Sequence, residues 1–202
     1  MIISPFQSLV DEILIKLGAK ASLVFVQSTT QTVASALGLK LDISVPLVDL
    51  RPPAVVGLVY VNDKYLNNGF TDSEIQFILA HECAHIFNNH LISRLFWNVL
   101  EKVAKGEKNE NYDMVELIKA LLALTSTQHL PPNAITLRNQ EYEADEIAVR
   151  LTGDLESAMS CLKKLVGNNM DNPSHAWELF DTAVPAMNMG QRIDELRRRI
   201  LG

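Results

Sequence analysis

The chain holds only two cysteines, Cys83 and Cys161, in 202 residues, and neither lies in a Cys-x-x-Cys pair. That excludes a disulfide framework and is compatible with a reducing cytoplasm. An excess of positive charge is missing too. Eighteen basic side chains stand against 24 acidic ones, a formal net charge of −6 with a pI near 5.4. This balance argues against nucleic acid as the main partner, since phosphate binding draws on clustered Lys and Arg. No apolar run reaches the ~18–20 residues of a membrane span. The longest candidates are cut by Arg94, Asn98, Glu101 and Lys102, or by Glu116 and Lys119. The N-terminus lacks a basic segment ahead of its apolar residues, and Asp11 and Glu12 follow early, so it does not read as a secretory signal. Internal repeats and low-complexity tracts are absent. The expectation is a soluble, cytoplasmic protein. With 48% hydrophobic against 21% charged residues it can bury a sizeable core, and its length predicts one domain over 1–202.

What is present is the pentapeptide His81-Glu82-Cys83-Ala84-His85 inside the apolar run from Ile78 to Phe87. At about 3.6 residues per turn, two His four apart stack on one helix face about one turn apart. Their imidazoles can grip a single Zn²⁺, with Glu82 beside them to act as general base on a metal-activated water. The flanking sequence supplies the helix. Thr71-Asp72-Ser73-Glu74 is a capping box, and Phe70 and Ile75 bracket it as a hydrophobic staple.

Around this helix the pattern predicts further elements. A first helix spans 5–17, with Ser4 as cap, Pro5 at its first position and Gly18 as stop. Strands are expected at 21–27 and, most clearly, at 54–62, which is rich in Val and Tyr. Residues 28–50 are ambiguous, which leaves 1–53 the weakest part of the pattern. Asn62-Asp63 and Asn67-Asn68-Gly69 read as turns. Two amphipathic helices at 91–104 and 114–124 form a helical insertion within 91–132. Helices at 135–151, 155–166 (capped by Asp154), 174–182 and 190–201 complete the chain, and Arg197, Arg198 and Arg199 suit the dipole of the last one.

Catalytic zinc usually takes three protein ligands plus an open position, so a third ligand is required beyond His81 and His85. The candidates are His90, Glu141, Glu143, Asp145, His129 and His175. On a continuous helix His90 lies nine residues past His81, about 900° of rotation, on the opposite face, so it reads as a residue behind the site or on the surface rather than a ligand. Glu141 and Asp145 are four apart and share a face with Ala144 and Ala148, small residues that allow close helix packing. Glu143 and Glu146 point elsewhere and read as solvated. An ordinary acidic helix surface is the alternative for this segment. Beside the zinc helix, Glu141 is the expected third ligand. Cys83 falls on another helix face and reads as a small core residue. Tyr142, His129 and His175 are the candidates for stabilising an oxyanion.

His81-Glu82-x-x-His85 followed by Glu141-Tyr-x-Ala-Asp145 resembles the HtpX-like and CaaX prenyl endopeptidase family of gluzincin metallopeptidases. Val59-Tyr60-Val61-Asn62 and Gln191-Arg192-Ile193-Asp194-Glu195-Leu196 are further matches within roughly 54–196. The resemblance implies an α+β, mostly helical, zincin-like fold with a small sheet whose edge strand lies over the active-site helix. It implies zinc on His81, His85 and Glu141, Glu82 as general base, and Asp145 accepting the free ring N–H of a ligating His. Its activity would be that of a zinc metalloendopeptidase acting on a peptide or unfolded protein. Many relatives carry membrane spans where this chain has only the 91–124 helices, which leaves peripheral membrane contact there as an expectation. The Thr182-Ala183-Val184-Pro185 segment also lacks the His that often precedes that Pro. The rival reading is a zinc-binding regulatory or interaction protein with the same site and little proteolysis.

Overall fold

A computed structural model describes residues 4–28, 33–41, 44–45, 48–49, 54–90, 134–167 and 189–202. The expected helices at 91–104, 114–124 and 174–182 lie outside the described residues, as do His129, His175 and the proposed membrane-contact segment. The remainder is α+β, and helices predominate among the described residues.

Helix α1 (Gln7–Lys16) buries Val10, Ile13 and Leu14, the i, i+3, i+4 stripe of an amphipathic helix. It starts two residues later than the Ser-Pro signal suggests; Ser4 is buried ahead of it, accepting from Phe6 N–H at 3.3 Å and donating to Asp63 Oδ1 at 3.2 Å. Gly18 ends it at φ +96°, a left-handed conformation that favours glycine. Strands β1 (Ala21–Ser28), β2 (Ala34–Leu41) and β5 (Ala54–Val61) form one mixed sheet in the order β1-β5-β2. β1 runs parallel to β5 with Ala21 opposite Ala54, and β2 runs antiparallel with Leu41 opposite Ala54. β3 (Ser44–Val45) and β4 (Val48–Asp49) make a separate small hairpin.

The strand at 54–61 is therefore central, and the edge strand packed on the histidine helix is β2, from the stretch that periodicity left ambiguous. The physical reason lies in its inverted pattern. Ala36 and Gly38 face the helices while Leu37 is largely exposed, so the larger apolar side chains point away from the core. Small residues are needed inside because Ile86 beds between Gly38 and Gly57, which oppose each other in the sheet. A Cβ on Gly38 would lie 2.9 Å from Ile86 Cγ2, and one on Gly57 3.3 Å from Ile86 Cδ1.

Helix α2 (Asp63–Gly69) forms where turns were expected, since Asn62 Oδ1 accepts from Tyr65 N–H at 3.1 Å and caps it. Helix α3 (Asp72–Phe87) follows and begins at the expected capping box. Thr71 Oγ1 accepts from Glu74 N–H at 3.3 Å, and Glu74 Oε2 accepts from Thr71 N–H at 2.7 Å. α3 is apolar nearly all round, as a helix enclosed by other elements must be. It packs against α1, β2, β5, α4 (Ala134–Thr152) and α5 (Leu155–Gly167). Asp154 caps α5 through Ser157 N–H at 2.9 Å, as its position predicted. Helix α6 (Met189–Leu201) lies on α4 and α5.

Glu74 also ties α3 to α5. Its carboxylate is buried and accepts from Lys164 Nζ at 2.6 Å and Ser160 Oγ at 2.7 Å. Burial alone would raise its pKa, but Lys164, the Thr71 N–H and Ser160 together bring it below the ordinary glutamate value. A lowered folded-state pKa stabilises the fold above the unfolded value near 4.5, and the contribution disappears as pH falls through the folded value. Glu74→Gln should therefore flatten the acid limb of the stability curve below about pH 4.5, in denaturant titrations at stepped pH. Glu74→Ala, which also removes the reciprocal cap, should lose ~2–3 kcal/mol at neutral pH.

Candidate metal centre

The site is built where α3 and α4 cross. Cap and spacing set His81 and His85 on one face of α3, and Ala144 and Ala148, both fully buried, let α4 approach closely. That approach brings Glu141 and Asp145 onto the histidines. His81 Nε2 and His85 Nε2 are 3.0 Å apart. Glu141 reaches both, with Oε2 at 3.3 Å from His81 Nε2 and Oε1 at 3.3 Å from His85 Nε2. All three residues are buried, and among the described residues they form the one group of His, Cys, Asp and Glu close enough to hold a metal ion.

The donor set fits zinc. Tetrahedral ligands ~2.0–2.1 Å from an ion are separated by about 3.3 Å, the tetrahedral edge. The separations here, 3.0 Å between the two Nε2 atoms and 3.3 Å from each to one of the two Glu141 oxygens, are of that size. Two imidazoles and a carboxylate are also the borderline donors that zinc prefers over the all-oxygen sets of magnesium and calcium.

Asp145 stands behind His81. Its Oδ1 lies 2.9 Å from His81 Nδ1, so the ring N–H pointing away from the cluster has a carboxylate acceptor. Asp145 is fully buried and is held in turn by Arg192 from α6, through Nε at 2.5 Å and Nη2 at 2.7 Å. Arg192 Nη2 also lies 3.6 Å from Glu141 Oε2.

The electrostatics follow from this packing. Burial pushes both histidines toward the neutral form, but Asp145 and Glu141 outweigh it at His81 and lift its pKa to about 9. At His85 burial prevails over Glu141, and the value falls to about 3. Burial raises the Glu141 carboxyl, yet the two histidines hold it well below the usual carboxylate range. Asp145 is likewise raised by burial and lowered further by Arg192. The result is a water-poor site holding two ionised carboxylates, which is a cation-seeking arrangement.

Several sequence expectations are corrected here. His90 is not on a far helix face, because α3 ends at Phe87 and Asn89 adopts φ +58°. The chain folds back, and His90 is buried with Nδ1 2.9 Å from His85 Nδ1. Glu143 is half-exposed but not idle, since it accepts from Asn88 Nδ2 at 2.9 Å. The Arg199 guanidinium lies over the Tyr142 ring, 5.7 Å from its centre. Cys83 is a fully buried core residue whose thiol is pushed up by burial, as its helix face implied. Glu82 is half-buried on α3 beside His81.

Arg192 had no role assigned from sequence. The available signal was positional: it lies four residues before the buried Leu196, so a lone charge sits on the apolar stripe of α6. In the arginine triplet that drew attention, Arg198 and Arg199 pair with Glu195, and Arg199 also pairs with Glu146 on α4 at 3.1 Å.

A pair of crossed helices presenting His, His and Glu around one point, with a buried Asp behind, defines a candidate metal-dependent hydrolase. The chain belongs to peptidase family M48, whose family model matches residues 9–200. This agrees with the resemblance carried by the His81–His85 and Glu141–Asp145 motifs and makes the chain a metallopeptidase by family. No curated protein and no solved structure matches it. Among the described residues, no helix is long and apolar enough to cross a membrane.

Proposed function

We propose that the chain is a zinc-dependent metalloendopeptidase of zincin-like fold that cleaves peptide or unfolded protein substrates. The observation that carries this reading is the convergence of His81 Nε2, His85 Nε2 and the Glu141 carboxylate within 3.0–3.3 Å of one another, in a member of a peptidase family. Zinc held by these three residues would acidify a bound water toward pKa ~7 and polarise the scissile carbonyl. Glu82 takes the proton of the attacking water and passes it to the leaving amine. Asp145 keeps His81 in the tautomer that presents a bare Nε2, and Arg192 holds Asp145 in place.

The edge strand β2 supports a peptide substrate better than β5 does, because its outer side is not paired to another strand among the described residues. Asn89 closes one end of that side. Its Oδ1 accepts from Lys40 N–H at 2.6 Å, and its Nδ2 donates to Lys40 C=O at 3.2 Å. Main-chain pairing by an extended peptide would therefore run along Ala36 and Gly38 and stop at Lys40. Both thiols are free and buried, which suits a reducing compartment.

The test is hydrolysis of casein by the purified protein alongside its zinc content. One zinc per chain is expected, with cleavage abolished by a chelator and restored by added zinc. Stoichiometric zinc with no cleavage of casein or other unfolded substrates would establish the zinc-binding regulatory reading instead.

A further inference from the structure

Asp145 accounts for the outward nitrogen of His81, while the outward nitrogen of His85 meets another imidazole. His85 Nδ1 and His90 Nδ1 are 2.9 Å apart, both rings are buried, and their planes are near perpendicular at 71°. Two Nδ1 atoms at that distance need one proton between them, so one ring donates and the other accepts. On the other side of His90, Nε2 lies 3.4 Å from Glu143 Oε2, and Glu143 is anchored through Oε1 by Asn88 Nδ2.

We infer that His90 and Glu143 are positioning residues for His85, forming a directional chain from the metal centre to the surface. The inference rests on the reading that His85 Nε2 ligates the metal. A neutral imidazole bound through Nε2 carries its proton on Nδ1, so His85 donates to His90. His90 must then offer a bare Nδ1 and carry its own proton on Nε2, which faces the Glu143 carboxylate. The order of protons is thereby set from the acidic end: Glu143, an acceptor only, selects the His90 tautomer, and His90 selects that of His85.

The arrangement is the counterpart of Arg192–Asp145–His81 on the other ligand. One histidine is braced by a carboxylate directly and the other through an intervening imidazole. The fold provides the second brace through one residue. With Asn89 in the left-handed conformation, the chain leaves α3 two residues after Phe87 and returns His90 to His85. Asn89 is held there by both of its bonds to Lys40 on β2. The end of the metal helix, the edge strand and the brace are thus one connected unit.

Zinc affinity, measured by competition with a chromophoric chelator, tests this on the full chain without recourse to activity. His90→Ala should weaken zinc binding roughly tenfold to a hundredfold, and Glu143→Ala by a smaller factor of a few. His90→Asn places an amide oxygen near the position of Nδ1 and should recover most of the loss, which mere filling of the space would not. A long-range ¹H–¹⁵N spectrum of the zinc-loaded protein should show His90 protonated at Nε2 and bare at Nδ1. Circular dichroism on the same samples identifies a variant that fails to fold, and half-exposed Glu143 then carries the test in place of buried His90. Wild-type affinity in folded His90→Ala and Glu143→Ala, or a His90 protonated at Nδ1, would overturn the inference. So would a His90→Asn as weak as His90→Ala. A wild-type chain that binds no zinc would overturn the metal-centre reading itself, a different result.

Discussion

Glu82→Gln should retain a full complement of zinc and lose peptide hydrolysis by roughly 10²–10⁴-fold, the range that a positioned general base contributes. The two halves of this expectation have separate causes. Zinc is retained because the cluster consists of His81, His85 and Glu141, and Glu82 is not in it. Hydrolysis is lost because the amide is nearly isosteric with the carboxylate but cannot accept a proton at neutral pH. A thousandfold loss corresponds to about 4 kcal/mol of transition-state stabilisation. Zinc content by mass spectrometry or atomic absorption and initial rates on a quenched peptide measure the halves independently. Undiminished cleavage would remove Glu82 from the mechanism, and loss of the metal would move it into the metal-binding shell.

Arg192→Ala should be the most damaging substitution for stability, at ~3–5 kcal/mol. It removes the two hydrogen bonds from Arg192 to Asp145, a carboxylate with no solvent exposure that keeps only its contact with His81, and it takes a positive charge from beside Glu141. Two ionised carboxylates would then share a water-poor site with only His81 to offset them. For a chain of this size the loss corresponds to a drop in Tm of roughly 6–20 °C. Arg192→Lys should fall in between, since an ammonium keeps the charge but not the two-pronged contact. The double variant Arg192→Ala/Asp145→Asn isolates the cause. It should be more stable than Arg192→Ala alone, because neutralising Asp145 removes the orphaned charge. A double variant no more stable than the single one would place the cost in lost packing of α6 instead. Added zinc should raise the Tm of Arg192→Ala, because the ion supplies positive charge at the same point.

The elements legible in the sequence share a property: their signals are local. The capping box at Thr71 and Glu74 lies within four residues and forms as expected. The i, i+4 pairs His81/His85 and Glu141/Asp145 are set by helix pitch, and each pair faces one way in the fold. Gly153 closes α4 through its positive φ, and the Asp154 carboxylate caps α5.

The misreadings also share a cause. Strand β2 was opaque because Ala36 and Gly38 are small for the sake of Ile86, 48 residues beyond Gly38 in the chain. Hydrophobic alternation reads burial from size, and here the smaller side chains are the buried ones. The rotation count that set His90 on a far face assumed a helix continuing beyond Phe87. Asn88-Asn89 carried a warning, because Asn enters the left-handed region more readily than most residues. Turn propensity at Asn62-Asp63 was overridden once Asn62 capped a helix.

From sequence alone came a well-started helix with two histidines and a glutamate in hydrolytic order, and a later helix with two carboxylates on one face. Pitch and capping determine these over a few residues, and no tertiary contact is needed to read them. Only the folded chain decided that Glu141 bridges both histidines, that Arg192 steadies Asp145 across 47 residues, and that His90 backs His85. Those choices depend on how closely α4 and α6 approach α3. Packing between distant segments sets that distance, and no local periodicity encodes it.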